Sequence, residues 1–128
     1  MDLYIYKADV IKITDGDTIT VNIDLGFDTA LKNQKVRLYG IDTPESRINL
    51  KRYPERTKEK ELGFAAKDLL TKLCGPQILL QSLGKGKYGR ILGICYQLET
   101  KVNINEELIK NNLAVKYFGG TKTKVWGI

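Results

Sequence analysis

Val10-Ile11-Lys12-Ile13-Thr14-Asp15-Gly16-Asp17-Thr18-Ile19-Thr20-Val21-Asn22-Ile23 is the stretch that decides the fold class. Apolar and polar residues alternate after the Asp15-Gly16 dipeptide, and Asp-Gly between two β-rich runs is a strong hairpin signal. Leu3-Tyr4-Ile5-Tyr6 extends the first strand backwards. On the return strand Ile19, Val21, Ile23 and Leu25 share one face. Asp17 has the same parity, so a carboxylate falls at the end of the buried face, where it needs a cation or several donors. Gly26 to Asn33 reads as a long hairpin connection, and Lys35-Val36-Arg37-Leu38-Tyr39-Gly40-Ile41 as a third strand. That strand runs into Asp42-Thr43-Pro44-Glu45, where Pro44 keeps Thr43 out of helical geometry and turns the chain.

Beyond this core the period changes. Ser46 to Lys60 lacks periodicity and carries Arg47, Lys51, Arg52, Arg56, Lys58 and Lys60 against Glu55 and Glu59, the pattern of a basic surface loop able to steer a polyanion. Leu62, Ala65, Ala66, Leu69, Leu70 and Leu73 then form a helical stripe that stops at Gly75-Pro76. Ile78-Leu79-Leu80 and Arg90 to Tyr96 read as strands around a Lys85-Gly86-Lys87-Tyr88-Gly89 turn. A second helix starts near Asn103, with Glu106 as capping partner, and buries Leu108, Ile109 and Leu113. From Leu108 to the end there is no acid, and Lys110, Lys116, Lys122 and Lys124 make the tail basic. About five strands, with helices after the third and the fifth, fit a small closed barrel of the OB type: a mainly β fold with two helices, and a single domain over residues 1–128.

Composition narrows the chemistry. There are 21 Lys and Arg against 15 Asp and Glu, a net charge of +6, which favours a polyanionic partner such as nucleic acid or an anionic membrane surface. No histidine is present, so hydrolases built on an imidazole base and zinc sites that need imidazole are excluded. Two cysteines, Cys74 and Cys95, make neither a disulfide framework nor a four-ligand metal site and read as buried apolar residues. No apolar run is long enough to span a membrane, and the N-terminus does not read as a signal peptide, so a cytoplasmic monomer is expected.

Acids and arginines at strand ends carry the remaining signal. Asp17, Asp42 and Glu45 would bring hard oxygen donors to one barrel edge, which suits Ca²⁺ or Mg²⁺. Arg37 precedes Asp42 on the same strand, and Arg90 follows a segment with three glycines, so two guanidiniums beside a carboxylate-held cation would form a phosphate clamp. A Glu99/Lys101 pair together with Asp42 could suggest another nuclease class, but it lies in a polar turn.

Three blocks, Val10 to Thr18, Val36 to Glu45 and Lys87-Tyr88-Gly89-Arg90, resemble in order the signature blocks of the staphylococcal-nuclease-like family, with similarity over about residues 8–118. The resemblance implies an OB-like barrel and a Ca²⁺-dependent endonuclease acting on DNA and RNA that leaves 3′-phosphate ends. It implies Asp17 and Asp42 as metal ligands, the Thr43 carbonyl facing the ion, Glu45 activating or orienting water, and Arg37 and Arg90 binding phosphate. Lys87, Tyr88 and Tyr117 would lie along the substrate, Tyr117 one residue off the family's spacing. The connection between the second and third strands and the loop after Glu45 look longer than in the best-known secreted member, and the compact ending is more like members carried by mobile elements. The alternative is a catalytically silent OB-type nucleic-acid-binding module, which would not need Asp17, Asp42, Glu45, Arg37 and Arg90 together.

Overall fold

Strand β1 (Ile5–Asp15) pairs antiparallel with β2 (Thr18–Gly26), and the register closes at Asp15↔Thr18. A computed structural model describes residues 3–120, 122 and 124–126, except for the side chain of Lys87. The tight turn at Gly16-Asp17 does not use a left-handed conformation at either residue. Gly16 answers a different need: a Cβ there would lie 2.6 Å from the Ala66 Cβ and 3.2 Å from the Thr43 side chain. The hairpin signal is therefore right in place, while its glycine is set by packing.

β3 (Thr29–Leu38) starts far earlier than the alternation suggests, which corrects the long connection expected from Gly26 to Asn33. Phe27 and Asp28 both adopt left-handed backbone and make a two-residue hairpin, and the Asp24 carboxylate accepts from the Gly26 N–H at 2.8 Å. The start of β3 is exposed from Thr29 to Asn33 because this ribbon projects beyond the barrel, so no buried face imposes an alternating pattern. The third strand also ends at Leu38, and Ile41–Asp42 forms a separate short strand, β4.

Helix α1 (Thr57–Cys74) begins five residues before Leu62 and is preceded by a 3₁₀ turn at Pro54–Arg56, so the basic stretch is a loop only in its first part. Its buried face is Gly63, Ala66, Leu70 and Cys74, whereas Ala65 is exposed, which rotates the expected stripe. Gly63 is the reason for the rotation. A Cβ there would stand 2.2 Å from the Glu45 carbonyl oxygen, so the helix backbone rests directly on the loop that follows β4. α1 ends at Gly75, whose N–H donates to the Thr71 carbonyl.

β5 (Gln77–Lys85) and β6 (Ile91–Gln97) complete a closed barrel in the order β1-β2-β3-β6-β5. All neighbours are antiparallel except β3 and β6, which run parallel through Val36↔Ile91 and Arg37↔Leu92. This is the five-stranded OB-type barrel with two helices that the sequence implies. Helix α2 (Ile104–Lys110) starts as expected, with the Asn103 side chain accepting from the Glu106 N–H at 3.1 Å. It buries Ile104 and Leu108 fully, and Ile109 and Leu113 only in part. A last strand, β7 (Val115–Lys116), pairs with β4. No helix among the described residues is long and apolar enough to cross a membrane.

Ile19, Val21, Val36, Leu38, Ile78, Leu80 and Cys95 fill the barrel, with Leu70 and Leu108 closing it from the helices. Both cysteines are buried free thiols, and burial pushes Cys74 up to about 12 and Cys95 well above its ordinary value. A thiol raised in this way stabilises the fold fully below its unfolded pKa and loses that contribution as pH rises towards the folded value. Unfolding free energy from urea titrations should therefore fall as pH rises from about 9 towards about 12, and Cys74→Ala should flatten the fall. Gly63→Ala should lower stability at neutral pH by at least about 1–3 kcal/mol, since either the helix or the Glu45 backbone must move. Thermal unfolding of the two proteins checks this.

Candidate active site

The register of β2 and β3 places Thr18 opposite Arg37, and the Leu38 N–H donates to the Asp17 carbonyl at 2.8 Å. Arg37 is thereby brought beside Asp17. Its Nη1 lies 3.3 Å from Asp17 Oδ2 and donates to the Leu38 carbonyl at 3.0 Å, while Nη2 lies 3.8 Å from Asp42 Oδ1. Asp17 also accepts from the Thr18 hydroxyl at 3.0 Å and from the Thr43 N–H at 3.3 Å. Two nearly buried carboxylates thus share one guanidinium, which is how the inward parity of Asp17 is tolerated.

Asp42 is positioned by the corner that precedes it. The Tyr39 N–H donates to the Gly93 carbonyl at 2.8 Å, and the Tyr117 N–H to the Gly40 carbonyl at 2.9 Å. Asn105, on α2, completes the corner: its amide nitrogen donates to the Tyr39 and Gly93 carbonyls at 3.0 and 3.2 Å, and its oxygen accepts from the Cys95 N–H at 3.1 Å. Sequence reading passes over this residue. The available signal is a polar side chain between Ile104 and Leu108 on the buried face of a short helix.

Glu45 projects from the loop after β4 with its side chain 61% exposed, and its Oε2 lies 3.5 Å from the Arg56 guanidinium. Arg56 is held chiefly by Glu59, whose hydrogen bond raises the guanidinium above its ordinary value. The residue after Glu45 is fixed more firmly. Asp15 accepts from both the Ser46 hydroxyl and the Ser46 N–H and receives the Arg47 guanidinium at 2.9 Å, so Asp15 anchors the loop that bears Glu45. Of the six basic residues assigned to steering, Arg47, Arg56 and Lys58 have acidic partners.

One cleft of about 320 Å³ is lined by Asp17, Arg37, Asp42, Thr43, Glu45 and Arg90, together with Asp15, Lys35, Arg47 and Lys122. Arg90 enters it from the residue before β6 with no ion-pair partner among the described residues. Tyr88 and Tyr117 are not in its wall. Tyr88 is 91% exposed in left-handed backbone with its ring 6.0 Å from the Arg90 guanidinium, and Tyr117 lines a neighbouring groove that shares Asp42 and Lys122 with the cleft. The side chain of Lys87 lies outside the described residues.

The amino-acid sequence matches the family described as staphylococcal nuclease homologue over residues 35–125. The chain belongs to the staphylococcal nuclease family. Among its relatives are a protein named endonuclease YhcR of Bacillus subtilis, 31% identical over 88% of this chain and 9% of that protein, and an uncharacterised endonuclease of Haemophilus influenzae, 34% identical over 84% of this chain and 51% of that one. An uncharacterised protein of Methanocaldococcus jannaschii is 30% identical over 93% of this chain and 63% of its own length. The chain thus spans between about a tenth and two-thirds of these relatives.

The cleft's oxygen donors are of the kind a hard divalent cation prefers. Asp17 and Asp42 are hard oxygen donors, and Arg37 and Lys122 bring them two positive charges, the charge of one such ion. The hydroxyl of Thr43, the residue after Asp42, is buried with no hydrogen-bond partner among the described residues. The residues fit a hard cation, although no three acids are gathered closely enough among the described residues to form a protein-only cage. Asn105→Ala would take away the partner of the Cys95 N–H and of the Tyr39 carbonyl, while the Gly93 carbonyl keeps the Tyr39 N–H, and should cost roughly 1–3 kcal/mol for each group left unpaired that water cannot reach. Urea unfolding measures the loss, and Asn105→Asp should not restore it, since a carboxylate cannot donate to Tyr39 and Gly93.

Proposed function

We propose that the chain is a Ca²⁺-dependent endonuclease that hydrolyses phosphodiester bonds of DNA or RNA with little sequence preference and leaves 3′-phosphate ends. The observation that carries this reading is the convergence of Asp17, Asp42, Glu45, Arg37 and Arg90 on one cleft from four separate segments of chain. A binding module needs the basic residues alone. It gains nothing from two nearly buried acids and an exposed carboxylate at the point where phosphate would sit, because each acid repels the ligand.

Asp17, Asp42 and the Thr43 backbone carbonyl would hold the cation, which when bound neutralises charge on the phosphoryl oxygens. Arg37 and Arg90 enter the cleft from two neighbouring strands and give bidentate donors to the oxygens on which charge grows. Glu45 faces the open side of the cleft, where it takes a proton from the attacking water. The water oxygen bonds to phosphorus in line as the bond to the 5′ oxygen breaks, so the phosphate stays on the 3′ side. A carboxylate is a weak base for water, and orientation and electrostatics supply most of the acceleration. All of these groups address phosphate, which any sequence offers. Tyr88, exposed beside Arg90, provides a face on which a base can stack without being read.

Plasmid digestion in Ca²⁺, in Mg²⁺ and in excess chelator tests the reading, with the product ends examined for 3′-phosphate. Cleavage in Ca²⁺ that chelator abolishes is expected, and binding without cleavage under every condition would instead favour the silent module. Glu45→Gln should slow single-turnover cleavage of an end-labelled oligonucleotide by roughly 10²–10⁴-fold while leaving binding intact.

A further inference from the structure

The basic tail brings one of its lysines into the cleft. Lys122 Nζ lies 3.0 Å from Asp42 Oδ1, the oxygen that also faces Arg37, and Lys122 lines both the cleft and the adjoining groove. Its ammonium also stands 5.6 Å from the centre of the Tyr117 ring, so the side chain bridges the two surfaces. Asp42 is nearly buried, whereas the lysine side chain is half in solvent. The pair therefore joins a fixed acid to a flexible cation whose head can move without unpacking anything.

We propose that Lys122 is a substrate-binding residue that changes partners: it occupies Asp42 Oδ1 until a divalent cation takes that oxygen, and it then binds a phosphate of the nucleic acid next to the one being cleaved. The inference rests on the nuclease reading and adds a residue to that site. A divalent ion on Asp42 Oδ1 repels the ammonium, and the half-exposed lysine, unlike the Arg37 guanidinium that Asp17 also holds, can swing away from it. The cation that displaces the lysine takes over the compensation of Asp42, so the acid is never left buried and unpaired. The released ammonium stays at the junction of cleft and groove, where the Tyr117 ring face favours a cation. From residue 108 onwards its own segment offers no acid to hold the released ammonium, and a substrate strand in the cleft offers it a phosphate. Before metal arrives, the same contact closes the phosphate path and keeps the lysine from holding polyanion unproductively.

Lys122→Met keeps the apolar stem and removes the charge, and Lys122→Arg keeps the charge. Two measurements on the full chain separate the halves of the proposal. In calorimetric titration with CaCl₂ alone, Lys122→Met should bind Ca²⁺ several-fold more tightly than the parent, because no ammonium has to be displaced. In the Glu45→Gln background, in which cleavage is slow enough for binding to be read first, binding of a single-stranded oligonucleotide in Ca²⁺ should weaken in Lys122→Met, and its log–log salt dependence should flatten by roughly 0.7, the share of one phosphate contact. Lys122→Arg should restore that salt dependence. Unchanged Ca²⁺ affinity, or an unchanged salt dependence, in Lys122→Met overturns the exchange. A parent that binds both Ca²⁺ and oligonucleotide while Lys122→Met alters neither overturns this inference alone, whereas a parent that binds neither overturns the nuclease reading with it.

Discussion

The site depends on one guanidinium between two carboxylates. Arg37 reaches Asp17 and Asp42 at once, and both acids are almost withdrawn from water. Asp17 has no other ion pair among the described residues, whereas Asp42 also has the Lys122 ammonium at 3.0 Å, so Asp17 is the acid that Arg37 keeps from standing buried and uncompensated. The strand register follows from the same requirement. Thr18 stands opposite Arg37, and a slip of one residue would turn Arg37 to the other face of the sheet and strip Asp17 of its partner. Hydrophobic parity and charge compensation therefore select the same pairing, the first through Ile19, Val36 and Leu38 and the second through Asp17 and Arg37.

The parallel pairing of β3 with β6 gives this arrangement its second arginine. Val36 lies opposite Ile91 and Arg37 opposite Leu92, so Arg90 enters from the end of the strand beside Arg37 although 53 positions separate the two in sequence. The stagger of this pairing is what places them together, since only the end of β3 and the start of β6 overlap. The corner after β3 supplies the third direction. It is held by Asn105 and by the Tyr117 and Tyr39 amides, and it delivers Asp42, Thr43 and Glu45 within four residues. Closure of the sheet, a helix that caps it and a short strand from the tail all meet at this corner, so stability and site geometry are not separable there.

What could be read from the sequence is what depends on local chemistry. Alternation from Ile19 to Leu25, the turn after Asp15, the cap at Asn103, the buried cysteines and the acids and arginines of the cleft all leave a signal within a few residues. What could not be read depends on a neighbour distant in sequence. Gly63 looks like an interruption of a helical stripe until the Glu45 carbonyl is seen against it, and Gly16 looks like a turn glycine until Ala66 is. The early start of β3 is hidden because its residues are exposed on both faces, which removes the periodicity that marks a strand. Asn105 is hidden for the opposite reason: burial makes it unusual, and burial is a property of the fold. The roles of Tyr88 and Tyr117 were easier to name than to locate, since both stand outside the wall of the cleft that their neighbours form.

The glycines explain how an exposed acid can be held in place without burial. The Glu45 carboxylate stands largely in solvent, yet the chain that carries it is held in place beside Asp17 and Asp42. Its backbone is fixed from both sides: Gly63 lets α1 press against its carbonyl, and Asp15 grips Ser46 through the hydroxyl and the N–H. Asp15 in turn ends β1 and pairs with Thr18, one residue from Asp17. The same turn thus sets the position of a buried acid on one side and of an exposed acid's loop on the other. Rigidity at Glu45 comes from its main chain and from Ser46, which leaves the side chain free to do what a packed carboxylate could not, namely exchange its Arg56 contact for water while the rest of the cleft stays where the barrel puts it.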